Sequence, residues 1–420
     1  MCSEMEKPSK RKTGAIFCVL FFLIGAAQYF GTSYVPLFIH TFEFVDEMTV
    51  GVILAVNYVV AAAGQFFWGN LADQSRTKNQ VLRIVLMGTF AATWLLILPV
   101  HRSLSTLLPC VIILNLFMLV PLTIFDTIVV ENNSLCRLPF GTMRSFSSAG
   151  SALASFSLFA IGVFTSVTVR PQTGLAVMAV SALLALFPLR KVPKTYGHAY
   201  GHGIHRAEQL RVLMKNRRFC LLLFFGLFNF TCTGCYVSYF SIFFTSADGL
   251  GGTLDQLNLY GFLCIAMEAA LVVICSRIFR KKNIYWVFTW VSVMGACRAL
   301  VPFLAPNPYF VMLGGIFQGL TFGPLWGRVA PHIGSIVEDE VRATGQAVWS
   351  IVMQGIGPAV GSLLGGAAAS ALGLRGVFGI VACMHLLTAL LFQLPFGIQR
   401  RADRKELETN TPKSNLRLER

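Results

Sequence analysis

The stretch Gly64–Arg83, GQFFWGNLADQSRTKNQVLR, decides the fold. An apolar helix is expected to end near Trp68, and a short polar turn containing Asp73 and several cations follows it. Another apolar segment begins directly after Arg83. Two apolar segments joined by a tight charged turn, each long enough to cross a bilayer, predict a pair of antiparallel membrane helices.

The composition extends this prediction to the whole chain. Of its 420 residues 55% are hydrophobic and 13% charged, and the mean hydropathy is +0.66. Soluble domains carry roughly 25% charged residues, so a lipid environment is expected. Twelve apolar stretches are centred near residues 27, 60, 92, 117, 154, 180, 230, 266, 294, 319, 357 and 385. Because backbone groups must be paired in hydrocarbon, we expect an all-α integral membrane protein with twelve transmembrane helices.

The net charge of +15 could indicate a nucleic-acid partner, but the distribution of the cations favours a membrane. With the N-terminus placed in the cytosol, most Lys and Arg fall in the cytosolic segments, and the outer loops hold Arg102, Arg170 and Arg375. This asymmetry follows the positive-inside rule. It predicts a multi-pass plasma-membrane protein, or an inner-membrane protein if the source is bacterial. Both termini are then cytoplasmic, the lipid bilayer is the surrounding partner, and no nucleic acid is bound.

The chain divides into two halves. Six predicted spans precede the polar, basic segment 190–217, and six follow it. We expect two pseudo-symmetric six-helix bundles, over residues 1–189 and 218–399, joined by 190–217 as a cytoplasmic linker, with a disordered cytoplasmic tail over 400–420. Such bundles enclose a cavity near the midplane without needing a second chain, so a monomer is expected.

Residues suited to metal binding or catalysis do not group in the sequence. Cys232 and Cys235 form a CxxC inside an apolar helix without a second pair, which favours packing over metal or redox chemistry. The linker histidines His198, His202 and His205 have no acidic residue or Cys near enough to complete a site. The motifs HExxH and GxSxG and a phosphate-binding loop are missing. We expect no metal, no cofactor and no enzymatic activity.

Several motifs occur in a characteristic order along the predicted helices. They are Gly69–Lys78 after the second helix, Gly25 and Tyr34–Pro36 in the first, Pro121, Leu122 and Asp126 in the fourth, Phe140–Arg144 opening the fifth, Glu268 in the eighth, Arg298 in the ninth and Glu340–Ala347 before the eleventh. In this order they resemble the major facilitator superfamily. The resembled branch includes lactose-permease-like sugar/proton symporters, nucleoside/proton symporters and phenylpropionate-permease-like proteins.

The resemblance implies a permease that moves a small polar organic solute, such as a sugar, nucleoside or organic acid, by alternating access with proton symport. Two features depart from the branch. Phe146 stands where a Trp is usual, and the tenth helix, Phe317–Trp326, lacks the His and carboxylate that serve proton coupling in lactose permease. An exporter of drugs or metabolites is the alternative within the superfamily. A transporter-like receptor that binds without transport is the alternative of another class.

Four charged side chains fall within predicted spans, where an ionised group costs at least ~2.5 kcal/mol. Asp126 and Arg144 lie at matching depths on consecutive helices, so we expect a pair. It is either a static salt bridge or, as the resemblance implies, a substrate-binding pair. Glu268 lies near the midplane, and Arg298 about 9 Å from the outer surface. Our hypothesis makes Glu268 the proton carrier and Arg298 the group that helps its release; a fixed pair or a substrate-binding role is the alternative.

Asp73 is expected at the cytosolic end of the second helix, where pairing with Arg76 and Arg342 would close an inner gate. Further polar and aromatic residues are predicted to line the cavity and to bind substrate. Each is as compatible with hydrogen bonding between helices as with a ligand. They are Asn57, Asn229, Gln318, Trp326 and Trp349.

Overall fold

A computed structural model describes residues 10–99, 101–165, 168–197, 206–279, 282–338 and 341–410. The first half contains α1 (Lys10–His40), α2 (Glu47–Gln74), α3 (Lys78–Ile97), α4 (Leu104–Met118), α5 (Val120–Glu131), α6 (Phe140–Thr165) and α7 (Pro171–Leu189). The second contains α8 (Arg206–Lys215), α9 (Arg217–Thr245), α10 (Leu254–Phe279), α11 (Ile284–Leu304), α12 (Gly314–Ile336), α13 (Arg342–Ile351) and α14 (Gly357–Asn410). Helices α4 and α5 form one span, interrupted at Leu119. A π-helical turn over Val352–Ile356 connects α13 to α14.

The described helices account for twelve spans. Nine described segments are long and apolar enough to cross a membrane. One of them, Thr344–Gln393, has 50 residues, more than twice the roughly 20 that one crossing needs. Its backbone leaves the helical conformation at Gly373, where φ is +73°, so it contains two spans. Helices α10 and α12, of 26 and 23 residues, complete the set. The predicted all-α class and twelve spans are confirmed.

Three apolar cores show how the two bundles meet. We call the end where α1 and α9 begin the linker end, and the end where α1 gives way to α2 the loop end. At the linker end, one core contains residues of the first bundle only, such as Phe21 and Phe125. A second contains residues of the second bundle, such as Phe225 and Phe288, and the linker residue Leu213, but none of the first bundle. The third core, at the loop end, contains residues of both bundles. The bundles are therefore joined most closely at the loop end.

Close helix contact at the loop end depends on a small residue in α2. A Cβ at Gly51 would lie 2.7 Å from the carbonyl oxygen of Ser362 in α14. Asp46 fixes the start of α2, since its Oδ1 accepts a 2.8 Å hydrogen bond from the Thr49 N–H. Hydrogen bonds from the side chain and backbone of Thr49 also lower the pKa of Asp46. The loop end thus includes a capped helix start, and the first turns of that helix lie directly against the opposite bundle.

Three local features differ from the sequence-based expectations. Helix α2 continues to Gln74 instead of ending near Trp68, so Asp73 lies in its last turn. The linker contains a helix, α8, whose Leu213 is 1% exposed and belongs to the second-bundle core. Helix α14 continues to Asn410, so the first part of the predicted disordered tail is helical. Residues 411–420 lie outside the described residues.

Candidate functional site

The first bundle contributes an ion pair between α5 and α6. Nε of Arg144 lies 2.9 Å from Oδ1 of Asp126, which confirms the predicted contact. The guanidinium carbon of Arg144 also lies 5.7 Å from the ring centroid of Phe21 in α1. The two charged side chains are 34% and 32% exposed. Three helices therefore meet at a charge pair that remains partly open to its surroundings.

The face of α5 that carries Asp126 also carries Thr123, which is linked to the second bundle through Gln65 of α2. Thr123, about one turn earlier, has its hydroxyl 3.4 Å from Oε1 of Gln65 in α2. Nε2 of Gln65 in turn donates a 3.2 Å hydrogen bond to Oε1 of Gln354 in the π-helical turn. Residues three or four apart share a helix face, so Asp126 lies on the side of α5 that carries this link to the second bundle.

The second bundle contributes a connected set of three polar side chains from three helices. Nη2 of Arg298 in α11 donates a 3.0 Å hydrogen bond to Oε1 of Gln318 in α12. Nε2 of Gln318 donates a 2.8 Å hydrogen bond to Oε2 of Glu268 in α10. The amide of Gln318 thus bridges the difference in depth between Arg298 and Glu268. We call these three residues the bridged triad.

Aromatic residues surround the guanidinium of the triad. The guanidinium carbon of Arg298 lies 4.2 Å from the ring centroid of Tyr236 and 5.7 Å from that of Phe322. The hydroxyls of Tyr236 and Tyr260 lie 3.3 Å apart. Arg298 is only 7% exposed. A cation over an aromatic face is attracted to the electron density of the ring, so this buried charge is held by rings as well as by Gln318.

A cavity of about 140 Å³ lies beside the triad on its linker-end side. Phe322 both lines this cavity and contacts Arg298, so the two are adjacent. Trp349, predicted to bind substrate, is 6% exposed and packs edge-on against Phe230 at 5.7 Å. The remaining lining residues are Leu325, Val329, Gln346, Ser350 and Met353. The side chain of Trp326 lies outside the described residues.

Two predicted asparagines have amide atoms without a hydrogen-bond partner in the described part of the chain. Asn229 is fully buried, and both its Oδ1 and its Nδ2 are unpartnered. It lies two turns before Tyr236 on α9. Asn57 in α2 is 5% exposed, and its Oδ1 is likewise unpartnered. Buried amide atoms without partners are costly, which makes these two side chains candidates for hydrogen bonding to a bound solute.

The predicted inner-gate pairing takes a different form. Oδ1 of Asp73 lies 3.0 Å from Nζ of Lys78, and the same Nζ lies 2.5 Å from Oε1 of Glu131. Arg342 donates a 3.0 Å hydrogen bond to the Gly334 carbonyl inside its own bundle. Asp73 thus pairs with Lys78 across the short α2–α3 turn, and the gate formed with Arg76 and Arg342 stays a prediction. Arg76 is exposed.

Contacts that close the loop end were not predicted from the sequence. Oη of Tyr34 in α1 donates a 2.7 Å hydrogen bond to Oδ1 of Asn258 in α10. Oγ of Ser155 in α6 lies 2.7 Å from the carbonyl oxygen of Asn258 and 2.9 Å from Oη of Tyr29. Oη of Tyr239 in α9 donates a 2.7 Å hydrogen bond to the Glu47 carbonyl in α2. A polar amide in the first turns of an apolar span was the sequence signal that could have identified Asn258.

The described residues contain no group of three or more His, Cys, Asp or Glu placed to hold a metal ion. The linker histidines His198, His202 and His205 lie outside the described residues. Cys232 and Cys235 are free cysteines, fully buried within α9, as expected of small apolar side chains that pack between helices.

Comparison with known proteins identifies one family and several transporters that are similar to this chain. The family described as MFS_1 like matches residues 15–380. The maltose permease of Geobacillus stearothermophilus is 23% identical over 362 residues, which are 85% of this chain and 87% of that protein. The staphyloferrin B transporter of Staphylococcus aureus (strain NCTC 8325 / PS 47) is 23% identical over 346 residues, 77% of each chain.

Solved structures with the same architecture include the nucleoside transporter NupG, with a TM-score of 0.75 and 13% identity, covering 91% of this chain and 99% of that one. The xylose transporter XylE of E. coli, in an inward open conformation, has a TM-score of 0.65 and 13% identity, covering 90% and 95% of the two chains. At these identities the likeness shows the shared twelve-helix fold.

Proposed function

The chain belongs to the MFS_1 like family and is a transporter of the major facilitator superfamily, and from this premise we propose that it moves a small polar organic solute by alternating access with proton symport. The observation that carries the proposal is the bridged triad, Glu268–Gln318–Arg298, in the second bundle. A buried guanidinium and a carboxyl joined by a neutral amide provide both a solute-binding cation and a group that can gain a proton.

The solute class follows from the chemistry on the two facing bundles. Arg144 and Arg298 each present a planar guanidinium, which binds carboxylates and hydroxyls through paired hydrogen bonds. Asn57 and Asn229 offer unpartnered amide atoms within the same membrane region. The names of the relatives specify maltose, staphyloferrin B and nucleosides, all of them polar organic molecules. We therefore propose a sugar, nucleoside or organic acid as the solute.

Proton coupling is proposed to act through Gln318. When Glu268 is ionised, it accepts the Gln318 N–H and keeps the amide oxygen directed at Arg298. A proton on Glu268 weakens that charge-assisted hydrogen bond, because a neutral carboxyl is a poorer acceptor than a carboxylate. The amide and the guanidinium then become available to the solute. Proton and solute binding would in this way favour each other.

The arrangement of the three apolar cores, together with the orientation that we propose, indicates the side of the membrane toward which the solute pathway opens. The two bundles share one core at the loop end, whereas each linker-end core belongs to a single bundle. With both termini in the cytoplasm, the solute pathway of this conformation opens toward the cytosol. We further propose a monomer in a plasma or bacterial inner membrane, with bundles over 1–189 and 218–399 and a linker over 190–217.

The test is uptake into proteoliposomes that hold the purified chain, with an imposed pH gradient and labelled disaccharides, nucleosides and organic acids. We expect one solute to accumulate, and a protonophore to abolish the accumulation. Glu268→Gln should lose accumulation but keep solute exchange without a gradient, whereas Glu338→Gln, an exposed acid-to-amide control, should keep both. Accumulation by Glu268→Gln equal to that of the wild type would refute the assignment of the proton carrier.

A further inference from the structure

A groove on the outside of the first bundle lies between α1 and α7, at the linker end. Its volume is about 530 Å³. The wall is apolar and includes Ile16, Val19 and Phe187. Arg190 and Lys191, which follow directly after the last residue of α7, form its rim. The groove is separate from the solute site, since none of its lining residues belongs to the Asp126–Arg144 pair, the bridged triad or the cavity beside the triad.

The wall of the groove is an outward-facing apolar surface. Val19 and Phe187 are 50% and 60% exposed, whereas Phe17 and Leu20 on the other face of α1 are fully buried in the bundle. Exposed apolar side chains on a helix that crosses a bilayer are in contact with its hydrocarbon. The wall therefore suits a hydrocarbon chain.

The rim is cationic and held in position. The guanidinium carbon of Arg190 lies 5.7 Å from the ring centroid of Phe187, so the cation lies next to the apolar wall. Lys191 is exposed beside it. Lys10 and Lys12, at the start of α1, add two more exposed cations at the same end. In the proposed orientation this end meets the cytoplasmic leaflet, where anionic lipids are concentrated.

We propose that this groove binds an anionic phospholipid, with its phosphate on Arg190 and Lys191 and one acyl chain along Val19 and Phe187. Both halves of the site are needed for this assignment. A soluble anion would use the rim but leave the apolar wall uncovered. A zwitterionic lipid would use the wall but bring no net charge to the cations. A lipid with a net negative headgroup satisfies the two surfaces together.

The experiment uses the purified full chain in detergent and measures its Tm while phosphatidylglycerol, phosphatidylcholine or inorganic phosphate is added. A ligand that binds only the folded protein raises the Tm as its concentration exceeds Kd. We expect phosphatidylglycerol to raise the Tm more than phosphatidylcholine does, and phosphate alone to have no effect. The double variant Arg190→Gln/Lys191→Gln should bind phosphatidylglycerol about thirtyfold more weakly, since each surface cation contributes on the order of 1 kcal/mol.

The matched control is Arg217→Gln/Arg218→Gln, which removes two neighbouring exposed cations from the linker end of the other bundle. Its response to phosphatidylglycerol should equal that of the wild type. An equal Tm for both variants in phosphatidylcholine shows that each is folded. The proposal is overturned if the Arg190/Lys191 variant keeps the full response, or if both double variants lose it equally. A full effect from inorganic phosphate would instead make the rim a site for free anions.

The amino-terminal segment is the competing occupant of the groove. If phosphatidylglycerol raises the Tm only after residues 1–9 are removed, that segment covers the groove in the full chain and the lipid proposal fails. If phosphatidylglycerol acts on the full chain and the truncated chain alike, the lipid is the occupant.

Discussion

Tyr34 donates a 2.7 Å hydrogen bond to Oδ1 of Asn258 and thereby joins the first bundle to the second at the loop end. Both residues are fully buried, so the contact lies in a region from which water is excluded. The proposed transport by alternating access requires this end to open. In that mechanism the bond breaks in each cycle, and its strength helps to set how long the loop end stays closed.

The first prediction concerns this bond. Tyr34→Phe leaves the Asn258 oxygen buried without its donor, at a cost of about 1–3 kcal/mol to the loop-closed state. The ratio of loop-open to loop-closed molecules should rise by roughly fivefold to 150-fold. Distances between spin labels at Glu43 and Asp248, exposed loop-end positions in different bundles, report the change. Tyr309→Phe, at a 63% exposed tyrosine, is the control, and an unchanged Tyr34→Phe distance distribution would contradict the prediction.

The second prediction separates the two interpretations of the Asp126–Arg144 pair. Both side chains are about one-third exposed, at 32% and 34%, so the pair should contribute no more than about 1 kcal/mol to stability. The exchange Asp126→Arg/Arg144→Asp restores opposite charges in reversed positions. A purely structural pair would recover transport in the double variant. We expect recovery of expression and Tm without recovery of uptake, because a bound solute requires each charge in its own place.

The third prediction concerns Gln318. Gln318→Leu keeps the approximate volume but removes both hydrogen bonds of the bridging amide. We expect gradient-driven uptake to fall at least ~10-fold, with a loss of about 1–3 kcal/mol in stability from polar groups left short of partners. Gln393→Leu is the control, since the amide of Gln393 donates a 3.3 Å hydrogen bond to Thr289, which is not part of the triad. Wild-type uptake and pH dependence in Gln318→Leu would show that the triad is not functional.

The fourth prediction concerns Lys78, whose side chain is 3% exposed between Asp73 and Glu131. Lys78→Met leaves two carboxylates facing each other without their shared cation. Removing one partner of a buried pair costs 3–5 kcal/mol, and exposure of the carboxylates reduces this to about 2 kcal/mol here. Thermal unfolding in detergent should show the loss, while Lys215→Met, at an exposed lysine, should leave the Tm unchanged. A Tm for Lys78→Met equal to wild type would show that the ion pairs do not stabilise the fold.

The spans were predictable from the sequence because hydrocarbon imposes one length and one secondary structure on every crossing. The contact between Asp126 and Arg144 was predictable for a related reason. The two residues lie on helices joined by a short loop, and counting from that loop places them at equal depth. The depth of a residue in the membrane follows from its position along the helix, which can be counted directly in the sequence.

Contacts between distant helices were not predictable in the same way. Asn258 lies 224 residues from Tyr34, and Glu131 lies 53 residues from Lys78. Each contact depends on which face of a helix is turned toward which neighbour, and nearly uniform apolar spans give little periodicity from which to infer it. For the same reason the sequence named Glu268, Arg298 and Gln318 separately but did not show that Gln318 connects the other two.

The core shared by both bundles at the loop end has a thermal consequence. Opening that end transfers aromatic and aliphatic surface into water, and exposure of such surface increases the heat capacity. A van 't Hoff plot of the equilibrium constant between the loop-open and loop-closed conformations should therefore be curved instead of straight. Because apolar burial weakens on cooling, cold should favour the conformation in which the loop end is open, and the direction in which an idle transporter faces would then depend on the temperature of its membrane.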